Sequence, residues 1–222
     1  MPDSRRPELL ILLGLMLVTT LLFWLTDVDI QTAAWFYHAD NPGEHWPEKQ
    51  YWLWRVLFVS ASPLILTAVV LTLLTVLLSF LKPILKPYRR PALYILLVIA
   101  IGPGLIVNVL FKNHWGRPRP VHIQEFSGEH QYIPPLQIGH SPDKSFVCGH
   151  CSVAYSGFAL YFLAKRRKWL YLGLTLGFAL MMGYSRMAAG GHFLSDVLWS
   201  GYLVFLTAYL LYYAWYKPGK SS

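Results

Sequence analysis

Long apolar runs recur along this chain, near residues 8–26, 52–81, 92–111, 150–164, 169–187 and 193–216. Runs of roughly 18 or more such residues are long enough to cross the hydrocarbon of a bilayer. Inside that hydrocarbon a helix satisfies its own backbone groups. The expected fold is therefore all-α: a polytopic integral membrane protein with six transmembrane helices in a bundle, residues 1–222 forming one domain. Composition agrees, because 55% of the 222 residues are hydrophobic and only 14% charged, with mean hydropathy +0.40, which leaves little for a soluble domain. The first run has a basic flank, Arg5-Arg6, but no small-residue cleavage site before Thr26-Asp27, so it reads as a retained helix and not a removed signal. No internal repeat or low-complexity segment interrupts the pattern.

The net charge of +8 would suggest nucleic acid in a soluble protein, but its distribution points to membrane topology. Arg5-Arg6, the Lys82/Lys86/Arg89/Arg90 loop, the run Lys165-Arg166-Arg167-Lys168 and the Lys217/Lys220 tail fall on one face of a six-span chain. Basic loops stay on the cytoplasmic side, which places both termini there. The opposite loop, 27–50, carries Asp27, Asp29, Asp40, Glu44 and Glu48 against a single Lys49. With Trp35, Phe36, Tyr37, Trp46 and nearby Tyr51, it reads as a short interfacial helix and loop anchored by an aromatic belt. Pro63 is a candidate kink in the long second run, and Gly102-Pro103-Gly104 a packing notch in the third.

Three stretches concentrate residues that a membrane chain does not carry cheaply. The third run stops at Lys112, and KNHWGRPRP puts Lys112, Arg117 and Arg119 in an outer loop, where topology alone would not place them. Guanidinium binds phosphate oxygens bidentately and ammonium adds a compact charge, so an anion is the expected partner, with anionic headgroup anchoring as the plainer alternative. After a polar loop over 120–147, whose His122, His130 and His140 read as solvated, comes Ser145-Phe146-Val147-Cys148-Gly149-His150. There Gly149 permits close backbone approach, and the following helix offers free N–H groups.

The third stretch, Ser185 to Asp196, holds Arg186, His192 and Asp196. An arginine or aspartate at a bilayer centre costs about 2.5–3.5 kcal/mol each. If the helix resumes at His192, Asp196 lies four residues on and shares its face. A carboxylate holding one ring N–H leaves the other nitrogen free as base or nucleophile. The plainer reading is a helix start with an arginine anchor and a satisfied histidine. In the six-span arrangement Lys112, Arg119, His150, Arg186, His192 and Asp196 all reach the outer face.

The order and spacing of these residues resemble the three-part signature of the type 2 phosphatidic acid phosphatase (PAP2) superfamily: Lys-x6-Arg-Pro, then (Pro)-Ser-Gly-His, then Ser-Arg-x5-His-x3-Asp. Lys112 with Arg119-Pro120 fits the first part, and Arg117-Pro118 does not. Ser185-Arg186, His192 and Asp196 fit the third. The second departs, with Val147-Cys148-Gly149-His150 lacking the proline and carrying cysteine for serine. The match spans residues 112–196. It implies a metal-independent phosphomonoesterase with no cofactor, in which His192 is the nucleophile, Asp196 its orienter and His150 the acid. Lys112, Arg119, Arg186, Cys148 and Gly149 would bind the phosphoryl oxygens, a thiol being a weaker donor than a hydroxyl.

A narrower resemblance, over Gly102-Pro103-Gly104, Phe111 to Val121 and Ser145 to Gly149, is to the lipid A 4′-phosphatase branch. It implies a lipid A substrate, a bacterial inner membrane and a site facing the periplasm. Phosphatidylglycerophosphate, undecaprenyl pyrophosphate and phosphatidic acid remain alternatives within the superfamily.

Cys148-Gly149-His150-Cys151 also resembles the redox motif of disulfide isomerases, and a thiol at a helix start beside histidine is acidified. That alternative, a membrane thiol-disulfide oxidoreductase, lacks the βαβ context and a second cysteine pair, and leaves Lys112, Arg119, Arg186, His192 and Asp196 unexplained. Two cysteines and a histidine in one helical turn make poor zinc geometry. A transporter would explain intramembrane cations but not their motif spacing.

Overall fold

The computed structural model describes residues 7–41 and 43–216. It is helical, and no β-strand occurs among the described residues. Helix α1 (Pro7–Leu25) leads through α2 (Val28–Ala34) and a 3₁₀ turn, Pro47–Gln50, into the long α3 (Trp52–Leu78). Helix α4 (Lys86–Ile99) continues through a π-helical stretch, Ala100–Phe111, into α5 (Lys112–His114). A long loop with 3₁₀ turns at Pro120–His122 and Gln124–Phe126 precedes α6 (Gly149–Tyr155), α7 (Phe158–Leu163), α8 (Lys168–Ala188) and α9 (Leu194–Leu211), which ends in a π turn, Tyr212–Tyr216.

Among the described residues four helices are long and apolar enough to cross a membrane: Pro7–Leu25, Trp52–Leu78, Pro83–His114 and Leu194–Tyr216. The other two runs of the six differ for local reasons. The fourth is divided at Ser156-Gly157 into α6 and α7, where a Cβ on Gly157 would stand 2.6 Å from Oγ1 of Thr175. The fifth forms α8 without a break, but Arg186 and interior glycines lower its hydropathy. Helix α9 is the centre of the bundle, with 56% of its span buried against 11% for α1 and α3, whose apolar faces point outward. The basic pairs Arg5-Arg6 and Lys217/Lys220 lie outside the described residues. Pro63 sits within an uninterrupted helix.

The third run shows how a proline is accommodated near a site. Pro103 has no N–H to give, and the helix widens there into π geometry, a departure that often accompanies functional positions. Asn108 donates its Nδ2 to the Pro103 carbonyl at 2.7 Å, while Gly102 lets the rod approach Thr207 of α9. The widened turn delivers Lys112 at the rod's end.

The acidic first loop is a structural element and not only a surface belt. Phe36 and Trp46 are buried, whereas Trp35 and Tyr51 are exposed as the belt reading expects. Trp46 closes over Gly190, whose positive φ and lack of Cβ make room for the ring. Asp29 is completely buried: its Oδ2 is 2.8 Å from Nη2 of Arg117 and its Oδ1 accepts the Ser195 N–H at 2.9 Å. The loop over 120–147 is likewise ordered, with Ile123 and Phe126 buried and Nδ1 of His122 2.7 Å from Asp143, so His122 is paired and not merely solvated.

Removing one partner of a buried ion pair leaves an uncompensated charge and costs about 3–5 kcal/mol. Asp29→Ala should therefore lower stability by about that amount in thermal unfolding of the detergent-solubilised protein. A variant that melts with the unaltered protein would show that Asp196 alone suffices to hold Arg117.

Candidate active site

Three elements converge at one end of α9: the end of the Pro83–His114 rod, the start of α6, and the α8–α9 turn. Helix α8 ends at Ala188, and Gly190 just beyond it takes φ +60 and donates its N–H to the Met187 carbonyl at 2.8 Å. The helix resumes at Leu194, two residues later than the His192 start assumed from the sequence. Asp196 still reaches His192, because it folds back to cap its own helix and accepts the Phe193 N–H at 2.9 Å. Its Oδ2 stands 3.5 Å from Nδ1 of His192, with side-chain exposures of 0% and 2%. That separation is longer than a good hydrogen bond, with Nδ1 turned toward the carboxylate and Nε2 on the other side of the ring.

Asp196 is itself fixed from three sides. Ser145 Oγ donates to Oδ2 at 2.6 Å, and Nη1 of Arg117 contacts Oδ1 at 2.5 Å. Arg117 also donates from Nη1 to Ser195 Oγ at 2.8 Å and from Nε to the Ile133 carbonyl at 2.7 Å. Ser195 Oγ donates in turn to Asp29, and Tyr132 donates to the same carboxylate at 3.0 Å. Burial disfavours the Arg117 charge, but Asp196 and Asp29 outweigh it and hold its pKa above the ordinary arginine value. Arg117 is thus a wholly buried support behind the site. Its failure to fit the Lys-x6-Arg-Pro spacing has a structural counterpart.

Arg119 sits differently. Its backbone N–H goes to Asp143 at 3.0 Å. Although burial works the other way, His122 and this N–H hold Asp143 below the usual carboxylate range. The Arg119 side chain stays free of that pairing, and its Nε, like the Nε of Arg186, is buried without a hydrogen-bond partner among the described residues. Buried, unpaired donors are costly and call for an acceptor. Lys112, Arg119 and Arg186 lie close enough for their charges to act on one another, and all three are only partly buried. Three cations held together against repulsion suit an anion.

Two glycines let these cations approach the backbone. A Cβ at Gly149 would stand 2.8 Å from Nζ of Lys112 and 2.9 Å from Oδ1 of Asn108. One at Gly191 would stand 2.6 Å from Nη2 of Arg186. His150 follows Gly149 in the first turn of α6 and stacks on Phe58 at 4.6 Å between centroids. The Arg186 guanidinium lies over the same ring at 4.6 Å. A cavity of about 210 Å³ opens beside Asn108, Lys112, Gly149 and His150. Another cavity, about 410 Å³, is lined mostly by apolar side chains of α1, α7, α8 and α9 and lies away from these groups.

Burial pushes the His192 pKa down to about 4, against the pull of Asp196. The ring is therefore neutral near pH 7 and has a lone pair to use. Cys148 is placed otherwise than the sequence suggested. Its N–H goes to the Asp196 carbonyl at 3.2 Å, its sulfur accepts the Cys151 N–H at 3.2 Å, and the two cysteines form a fully buried disulfide. Its side chain caps α6. Asp29, Phe58, Asn108, Ser145 and Ser195 are contributors that spacing did not reveal. Among the described residues no cluster of three or more His, Cys, Asp and Glu is placed to hold a metal.

Comparison with known proteins finds matching arrangements elsewhere. A lipid A 4′-phosphatase of Francisella tularensis subsp. novicida is 41% identical over 134 residues, 59% of this chain and 60% of that protein. A lipid A 4′-phosphatase of Rhizobium etli is 33% identical over 117 residues, 50% of this chain and 46% of the relative. A lipid A 1-phosphatase of the same species is 31% identical over 130 residues, 54% of this chain and 53% of the relative. The chain thus matches about half to three-fifths of the length of these relatives. No solved structure matches. Residues 91–220, which hold every cation and both histidines of the site, match the model of the PAP2 superfamily, and the chain belongs to that superfamily.

Proposed function

We propose that this protein is a membrane lipid phosphatase that removes a phosphate monoester from a lipid headgroup, the 4′-phosphate of lipid A, through a phosphohistidine on His192. The observation that carries the reading is the convergence of Lys112, Arg119 and Arg186 around a neutral, buried His192 backed by Asp196. Phosphoryl transfer needs chiefly in-line placement and charge stabilisation, which three cations supply where a metal otherwise would.

In this reaction Nε2 of His192 attacks phosphorus as the bond to the leaving oxygen breaks. His150, protonated when the anionic phosphoryl group lies beside it, gives that oxygen its proton. The ring becomes cationic with its proton on Nδ1, facing Asp196. Water then attacks phosphorus, His150 takes a proton from it, and Nε2 leaves as inorganic phosphate forms. Lys112, Arg119, Arg186 and the Gly149 N–H hold the equatorial oxygens throughout. The Cys148 side chain, spent on Cys151, contributes by shaping the helix start.

Support for the lipid A class comes from relatives that carry that name, the 4′-phosphatases at 41% and 33% identity and a 1-phosphatase at 31%. The chain would cross a bacterial inner membrane six times as a single domain, with termini cytoplasmic and the site periplasmic. A thiol-disulfide oxidoreductase is disfavoured, because both sulfurs are fully buried and exchange requires access for an attacking thiolate.

His192→Ala should abolish phosphate release from lipid phosphates, while thorough chelation of divalent ions leaves the unaltered protein active. Full activity in the variant would refute the nucleophile. Replacing both Cys148 and Cys151 by serine should retain most of the turnover, and a dead double variant whose parent cycles a disulfide would return the redox reading. Mass spectrometry of lipid A from a host expressing the protein should show loss of the 4′-phosphate. Unchanged lipid A with rapid hydrolysis of phosphatidic acid would move the substrate to a glycerolipid.

A further inference from the structure

A second cleft, of about 320 Å³, is lined by Lys49, Trp54, Arg55, Phe58, Ser185 and Arg186 among others. It shares Arg186 with the reaction site, so an occupant of either touches the same guanidinium. Most of its wall is apolar, Val59 and Ala189 included, and cationic side chains are set into that wall. Lys49 is offset by Glu44 at 2.6 Å, but Arg55 has no ion-pair partner among the described residues. The indole Nε1 of Trp54 and the Nε of Arg186 are both buried donors without an acceptor among the described residues. Two aromatic side chains, two guanidiniums and an indole N–H suit a ring of C–H groups and hydroxyls that also bears negative charge. A glycerol phosphate offers one anion and no ring, so it would leave this cleft unused.

We propose that the Trp54–Arg55 cleft is a headgroup subsite for a sugar carrying a second anionic group, held beside the phosphate that is removed. Trp54 and Phe58 supply apolar contact to the sugar, Arg55 pairs with the second anion, and Arg186 bridges the two sites. Specificity for a phosphorylated saccharide over a simple lipid phosphate then originates in α3, outside the residues of the phosphatase signature. This rests on the reading of the neighbouring site as a lipid phosphatase.

The test uses the full-length protein in detergent micelles with three probes: a bisphosphorylated glycolipid, its counterpart bearing only the scissile phosphate, and phosphatidic acid. Arg55→Gln should raise the KM for the bisphosphorylated glycolipid about tenfold relative to that for phosphatidic acid, with little change in kcat. The preference for the bisphosphorylated over the monophosphorylated glycolipid should shrink with it. Trp54→Phe keeps the ring and removes the N–H, so it should weaken both glycolipids relative to phosphatidic acid. An Arg55→Gln variant with unchanged KM ratios, or one that loses all three substrates in proportion, would overturn the subsite while leaving the phosphatase intact. Failure of the unaltered protein to release phosphate from any probe would instead overturn the underlying reading, and the subsite with it.

Discussion

The buried guanidinium of Arg117 is the contact on which the rest of the site depends. It lies between Asp29 and Asp196 at 2.8 and 2.5 Å, with no side-chain surface exposed on any of the three. Charges taken out of water are tolerated only with close partners and satisfied hydrogen bonds, and here Ser145, Ser195, Tyr132, the Ile133 carbonyl and the Phe193 N–H complete the set. Two carboxylates share one guanidinium, so the cluster retains a formal negative charge beneath His192. In the proposed reaction the imidazole becomes cationic when it bonds phosphorus, and that charge develops against this carboxylate. The same cluster ties α2, the loop between α5 and α6 and the start of α9 together. Fold and site rest on one set of bonds.

How much of this was legible in the sequence follows from the range of the interactions. The helices, the cations and the His192/Asp196 pair announce themselves through local hydropathy and short spacings. The spacing also separated Arg119 from Arg117 two residues away. Asp29 was invisible by contrast, because its partners are 88 and 166 positions along the chain and a lone acid in an acidic loop has no distinguishing neighbour. Phe58 is one aromatic in an apolar helix, and nothing local shows that His150 and Arg186 meet on its ring. Of the six runs, the two that do not stand out by helix length and hydropathy are the one divided where Gly157 packs against Thr175 and α8, which carries glycines and Arg186. Hydropathy windows weigh such helices poorly, since what compensates them is tertiary.

The fold spends its small residues where polar groups must crowd together. Gly149 and Gly191 leave no room for a side chain beside Lys112 and Arg186, so cations repelled by one another can still be drawn to one level. Asn108 satisfies the Pro103 carbonyl and stands beside Gly149 and Lys112. The π turn that its bond supports is what sets Lys112 at the rod's end. An alanine at either glycine would displace a flexible cation and not the backbone, which makes these positions matter to the site more than to the bundle.

The cysteine pair shows why a motif has to be weighed by its surroundings. In a thiol oxidoreductase the first cysteine of such a pair must meet another thiolate, and its reactivity depends on exposure as much as on acidity. Here Cys148 and Cys151 are both fully buried, one accepting the other's N–H across the first turn of α6, while Ser200 donates to the Cys148 carbonyl at 2.8 Å and the Cys148 N–H reaches Asp196. Every polar atom of Cys148 is therefore engaged in fixing where α6 begins relative to α9. That placement sets Gly149 beside Lys112 and His150 against Phe58. The departure from serine thus moves the residue's contribution from a side-chain hydroxyl to the position of the backbone that follows it.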